Sequence, residues 1–308
     1  MIRLLGHSLR ALAPLVALAA LAATAASASP DGTVPLHLGV IAEEPYEPRL
    51  MLEVYGELVG ELRDRLRSSG IEVGDLVIAR DLEDLSQRLI HGEVDLVIET
   101  VFPTLVLEER SRCLEPALVV FRRGQREYRS VFFTRADSPI RTLGDLAGQV
   151  LVLEALRSTS AFAIPKSELE RAGLSLVSAD ALNARPDDVR FVLAGAEVNQ
   201  AVWVLHGKGA AGAFNEGDWA RLPERVRSEL RIFHESAPLL RGLLSFRTTL
   251  SPGIRATVET TLLGLEEDED GRAALDRAAG VTRLERLTAG DRRGLEAWAP
   301  VLRPTRAP

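Results

Sequence analysis

The sequence predicts an α/β fold, and three observations carry that prediction. Short apolar runs of strand character alternate with stretches whose apolar residues recur at helical spacing. The composition is that of a globular chain: 308 residues, 46% hydrophobic and 26% charged, with 24 glycines and 16 prolines. No internal repeat, low-complexity stretch or long linker interrupts the alternation, so two domains would have to be joined by short crossovers.

The elements follow in order. Residues 36–41 read as a buried strand, and Pro45 and Pro48 break the chain just after it. Between 49 and 69, apolar residues fall at Leu50, Val54, Leu58, Leu62 and Leu66, a single helical stripe that Gly70 stops. Residues 73–79 form a second strand, 84–90 a helix ending at His91 and Gly92, and 95–98 a third strand. Residues 128–134 are strand-like, with a turn at 137–139, a short helix at 143–146 and a strand at 150–153. A helix follows to about Arg171, with Pro165 in its first turns, where proline is tolerated, and Gly173 as its stop. Strands at 191–193 and 211–214 flank a helix at 199–205, and the chain reads as helices from Arg255 onward. Such alternation favours largely parallel sheets.

The N-terminus reads as a targeting segment. Arg3 and Arg10 precede an apolar run over 11–23, and small residues end at Ala26, Ser27 and Ala28. A basic start, a short apolar stretch and an A-x-A site are the pattern of a cleaved signal peptide over residues 1–28. The mature chain is expected to be soluble and exported, beginning near Ser29. The formal charge of −7 becomes −9 without this segment, and such a chain has no general attraction for nucleic acid or an anionic membrane. The single cysteine, Cys113, excludes an intramolecular disulfide and a cysteine-based zinc cluster. No His/Asp/Glu cluster has metal-ligand spacing, so no metal and no cofactor are expected.

Ser158, Thr159 and Ser160 are the segment most suited to binding chemistry. They follow a strand and open a helix, where unpaired N–H groups and consecutive hydroxyls can converge on an oxyanion. The alternative is a plain N-cap, which needs only one of the three. A nucleophilic hydroxyl would need a base, and none of His37, His91, His206 and His234 stands at a recognised spacing.

The run from Tyr128 to Ile140, then Leu143 to Gly148, then the triplet 158–160, resembles the phosphonate/phosphite/phosphate-binding proteins of ABC importers, the PhnD-like family. Leu38-Gly39-Val40, Gly92 to Leu96, Gly207 to Phe214, Ser236 to Pro238, Leu250 to Pro252 and Asp268 to Gly271 fit the same family in collinear order. The resemblance implies a type II periplasmic-binding-protein fold: two α/β lobes, two crossovers and a ligand cleft between them. The expected lobes are 34–127 plus 236–308, and 128–235. It also implies a monomer that passes a small oxyanion to an ABC permease, and no enzymatic activity. The same fold could instead serve as a ligand sensor docking on a membrane receptor, and an exported serine-dependent enzyme is a third class.

The chain departs from the family where the ligand's remainder would be read. Glu197 stands where a histidine is common, Asn215 replaces an acid, and Glu99-Thr100-Val101-Phe102-Pro103 replaces a Gly-Pro and tyrosine pattern. The candidate ligand-binding set is therefore Ser158, Thr159, Ser160, Tyr46, Glu99, Thr100, Phe102, Glu197 and Asn215. Glu99 suits either the cleft or a solvated loop, and Tyr46 and Phe102 suit either a cleft wall or a lobe core. Trp203 reads as core and Trp219 as core or a cover for the ligand. Arg122, Arg123 and Arg126 read as a surface cluster near a crossover that could also help an anion approach.

Overall fold

The computed structural model describes residues 35–42 and 47–302. The leader read at 1–28 and the candidate residue Tyr46 lie outside the described residues. Local chemistry sets the first elements. Strand β1 (Leu38–Ile41) is buried throughout. Helix α1 (Pro48–Arg67) begins on a proline, whose missing N–H is no loss in a first turn. Its Leu58, Leu62 and Leu66 stand four apart and are all buried, so one stripe meets the core. After β2 (Val77–Ala79), Asp81 caps α2 (Leu82–His91) by accepting the Asp84 N–H at 2.8 Å. Gly92 ends α2 in the left-handed region at φ 75°, as a helix stop requires. Strand β3 (Leu96–Glu99), helix α3 (Val101–Ser111) and strand β4 (Leu114–Arg122) complete this stretch.

The chain then crosses through β5 (Glu127–Tyr128) into a second lobe. It contains β6 (Ser130–Arg135), β7 (Val150–Leu153), α4 (Ile164–Arg171), β8 (Leu176–Ser178), β9 (Val189–Leu193) and α5 (Glu197–Leu205). There follow β10 (Ala211–Asn215), α6 (Glu216–Arg221), α7 (Glu224–Arg227) and β11 (Leu230–Glu235). The return passes through β12 (Leu239–Leu240) and adds β13 (Leu243–Arg247), α8 (Pro252–Leu263), α9 (Glu269–Arg277), β14 (Val281–Arg286) and α10 (Ala289–Leu302) to the first lobe.

Two six-stranded sheets result, in the orders β14-β4-β13-β3-β1-β2 and β11-β6-β10-β7-β9-β8. Both are mixed rather than largely parallel. Strand β1 is parallel to β2 and β3, and β9 to β7 and β8, but β13 runs against β3 and β4, and β6 against β10 and β11. The reversed pairs involve strands that enter or leave a lobe at a crossing, where no helical crossover restores the direction. The C-terminal part is likewise not all helix. In β14 the buried Val281 and Leu284 stand three apart because a register irregularity follows Val281, which hides the strand's period of two.

Apolar clusters form on both faces of each sheet, the largest around Leu58, Leu62, Leu118 and Phe246. Close packing reaches the backbone at Gly212 on β10, where a Cβ would lie 2.4 Å from the Phe133 ring. The two crossings pair with each other, Tyr128 opposite Leu239 and Glu127 opposite Leu240, so the hinge is a two-stranded ribbon. A further cluster ties the lobes behind it: Val101 and Leu105 of α3, Ile164 of α4, Leu239 of the hinge, and Leu295 and Trp298 of α10.

Candidate functional site

The hinge topology delivers three side chains to one point between the lobes. Arg122 ends β4, Tyr128 lies in β5 and Arg241 directly follows β12. Facing them are Glu99 and Thr100 at the turn from β3 into α3, residues 154, 155 and 157–160 of the loop after β7, Glu197 at the start of α5 and Asn215 at the end of β10. Together they line a cavity of about 200 Å³.

The structure therefore brings together seven of the nine residues expected from sequence. Phe102 stands apart: its ring packs with the apolar cluster behind the hinge, and only its backbone N–H reaches the site, donating to Thr159 Oγ1 at 3.0 Å. Trp219 packs against Phe133 within the second lobe and does not cover the cavity.

The triplet does less for an anion directly than its sequence suggests. Ser158 Oγ accepts the Ala161 N–H at 3.1 Å, which is the plain N-cap reading. Thr159 Oγ1 spans the cleft, donating to Thr100 Oγ1 at 2.9 Å while it accepts from Phe102. The Ser160 carbonyl accepts the buried Ser130 hydroxyl at 2.6 Å. The backbone from Thr159 to Ala163 is a π-type turn before α4, with Ala161 outside helical geometry, so the helix does not begin directly on the triplet. Arg157 also crosses the cleft, donating to Glu99 Oε1 at 2.9 Å. Asn215 caps α6: its side-chain oxygen accepts the Asp218 N–H at 3.0 Å, and its amide donates to the Asp218 carboxylate.

The electrostatics of the hinge wall are different. Among the described residues no carboxylate forms an ion pair with Arg122 or Arg241, and the buried Nε of each has no hydrogen-bond partner. The guanidinium of Arg241 stacks 4.7 Å from the centre of the Tyr128 ring. Burial, with the positive charge of Arg122 adding to it, pulls the Arg241 pKa down from its ordinary value, while Tyr128 and Asp218 oppose that shift. Burial likewise raises the pKa of the Tyr128 phenol, whose hydroxyl approaches Thr159 and Ser160 but completes no hydrogen bond of normal geometry with either. Burial, then the charge of Glu197, raises the Asp218 carboxyl as well. Like charges held together out of water are costly until an anion arrives between them.

Arg157, Arg241, Tyr128 and Glu154 were absent from the residues selected on sequence, and Arg122 stood only in a surface cluster. A signal existed for two of them. Arg241 is a lone cation inside Leu239-Leu240-Arg241-Gly242-Leu243-Leu244, and Arg122 terminates the apolar run 117–121. A charge inside an apolar run sits where burial is expected, which needs a partner or a purpose.

Two mixed-sheet lobes on a two-stranded hinge, with a polar cavity between them, define a type II periplasmic binding protein. A family model for the periplasmic phosphonate substrate-binding protein of ABC transporters matches residues 41–291, and the chain belongs to that family. Membership places it in the periplasm as a carrier of a small ligand for an ABC permease. Among solved structures it is similar to XAC2383 from Xanthomonas citri, bound to ATP, at 29% identity and a TM-score of 0.78. The same protein bound to chloride ion matches at 30% identity and a TM-score of 0.78, and in both cases the match covers 87% of this chain and 96% of that one. PhnD1 from Prochlorococcus marinus (MIT 9301), in complex with methylphosphonate, shares the fold with a TM-score of 0.61 and 16% identity over 85% of this chain and 96% of that one. No curated protein matches the chain.

Proposed function

We propose that the cleft captures a tetrahedral oxyanion of the phosphonate, phosphite or phosphate type for import. The observation that supports this reading is the pair Arg122 and Arg241, two cations without a carboxylate partner whose buried Nε donors are unpaired beside a small cavity. At about 200 Å³ that cavity lies below the roughly 300–1,000 Å³ of pockets for drug-sized ligands, in keeping with a compact anionic group. The ATP bound to XAC2383 carries phosphate groups, which is in keeping with an oxyanion ligand for the similar chain described here. No histidine lines the cavity among the described residues, so the Ser158 and Ser160 hydroxyls have no imidazole base there, which favours binding over hydroxyl catalysis. Closure would swing 128–235 against 34–127 plus 236–308 about the β5–β12 ribbon.

The test is a thermal-shift panel of phosphate, phosphite, methylphosphonate, 2-aminoethylphosphonate, sulfate and alkylsulfonates. A ligand at a thousandfold excess over its Kd adds roughly 4 kcal/mol to stability. Stabilisation by at least one phosphorus oxyanion is expected. Stabilisation only by cations, amino acids or sugars, with every oxyanion inert, overturns the reading.

A further inference from the structure

The inner cavity does not end the cleft. Glu154, Ala155 and Arg157 also line a second, wider pocket of about 590 Å³, inside the roughly 300–1,000 Å³ range of organic-ligand sites. Both lobes wall it: Ile41 and Leu82 from the first, Leu156 and Leu193 from the second. Leu156 is 54% exposed and Leu193 41%, so neither is needed to complete a lobe core.

The charges around this pocket already have partners. Arg80 donates to Asp84 at 3.3 Å and Arg110 to Glu83 at 3.0 Å, while Asp81 holds the Asp84 N–H and Arg157 holds Glu99. A ligand there meets apolar side chains rather than unsatisfied charge. One scattered exposed leucine is ordinary, but apolar residues converging from two lobes onto a pocket that shares Glu154, Ala155 and Arg157 with the cavity of Arg122 and Arg241 are not.

We propose that the outer pocket is a subsite for the organic part of the ligand. The physiological ligand is then a phosphonate or phosphate monoester carrying an aromatic or similarly sized apolar substituent, with its anionic end against Arg122 and Arg241. This rests on the oxyanion reading of the inner cavity, and the experiment separates the two. Calorimetric titration compares methylphosphonate with phenylphosphonate on the wild-type chain and on the double variant Leu156→Ser, Leu193→Ser.

Phenylphosphonate is expected to bind the wild type about tenfold or more tightly than methylphosphonate, because the ring leaves water for apolar wall. The double variant should abolish that advantage and leave methylphosphonate within about twofold, the substituted side chains being exposed ones. Equal affinity for the two ligands, or a preference that survives in the variant, overturns the subsite while leaving the anion cavity standing. A variant that weakens both ligands alike also overturns it, since the leucines would then shape the cleft as a whole. Failure of both ligands to bind the wild type instead removes the oxyanion reading, and the subsite with it.

Discussion

The two walls of the inner cavity are built in opposite ways. On the loop wall, the polar side chains are already engaged: Ser158 with Ala161, Thr159 with Thr100 and Phe102, and Arg157 with Glu99. On the hinge wall, Arg122 and Arg241 keep a buried donor without a partner, and burial works against the charge of Arg241. The difference assigns them separate tasks. On the proposed function, the loop wall holds the lobes in register across the cleft and the hinge wall supplies the electrostatic attraction for the anion.

The strongest way to break this comparison is Arg241→Met. A hydrogen bond to a charged partner is worth about 1.5–3 kcal/mol, so loss of the bonds from one guanidinium should lower oxyanion affinity roughly a hundredfold or more. The same variant removes an unpaired buried charge, so the melting temperature without ligand should hold or rise. Unchanged affinity in a titration of this variant would move the anion site to the loop wall. Thr159→Val probes the other side. It deletes two hydrogen bonds between the lobes and should cost about 1–3 kcal/mol of stability, measured by urea unfolding, with a smaller effect on affinity than Arg241→Met. Ser158→Ala should cost about 1 kcal/mol as a lost cap and change affinity little. A loss of oxyanion binding in Ser158→Ala as large as that in Arg241→Met would contradict the division of tasks.

Glu99→Gln sharpens the comparison, because it removes one carboxylate that lines the cavity and so lowers the repulsion an anion meets there. Oxyanion affinity should rise by about three- to tenfold at low ionic strength and by less in high salt. The smallest effect lies away from the cavity. The hydrogen bond from His234, which outweighs partial burial, holds the Glu168 carboxyl below its ordinary value, with His234 Nε2 at 2.8 Å. A depressed carboxylate stabilises the fold above its unfolded pKa, and that contribution disappears as pH falls through the lower folded value. Glu168→Gln should therefore lower the melting temperature slightly at neutral pH and converge with the wild type in acid, which flattens the profile below about pH 4.5, as scanning calorimetry would show.

Much of the architecture is legible in residue order. Period-four leucines announced α1, and Val150 to Leu153 announced β7, because each buries one continuous apolar surface that its own sequence displays. Strand β14 was hidden because its register shift and the charged residues Arg283, Glu285 and Arg286 blur the alternation. The site was legible where it rests on one short loop, as at 158–160, 99–100 and 215. It was illegible where it rests on the hinge.

By itself, the sequence determined the alternating elements, the family and the loop that lines one side of the cleft, since these depend on neighbours within a few residues. Only the tertiary structure decided which cations line the cavity. Arg122 and Arg241 stand 119 positions apart in the chain and meet because the two crossings pair as β5 and β12. Whether a charged side chain is solvated or held unpaired in a cavity depends on what surrounds it in space, and no local pattern encodes that.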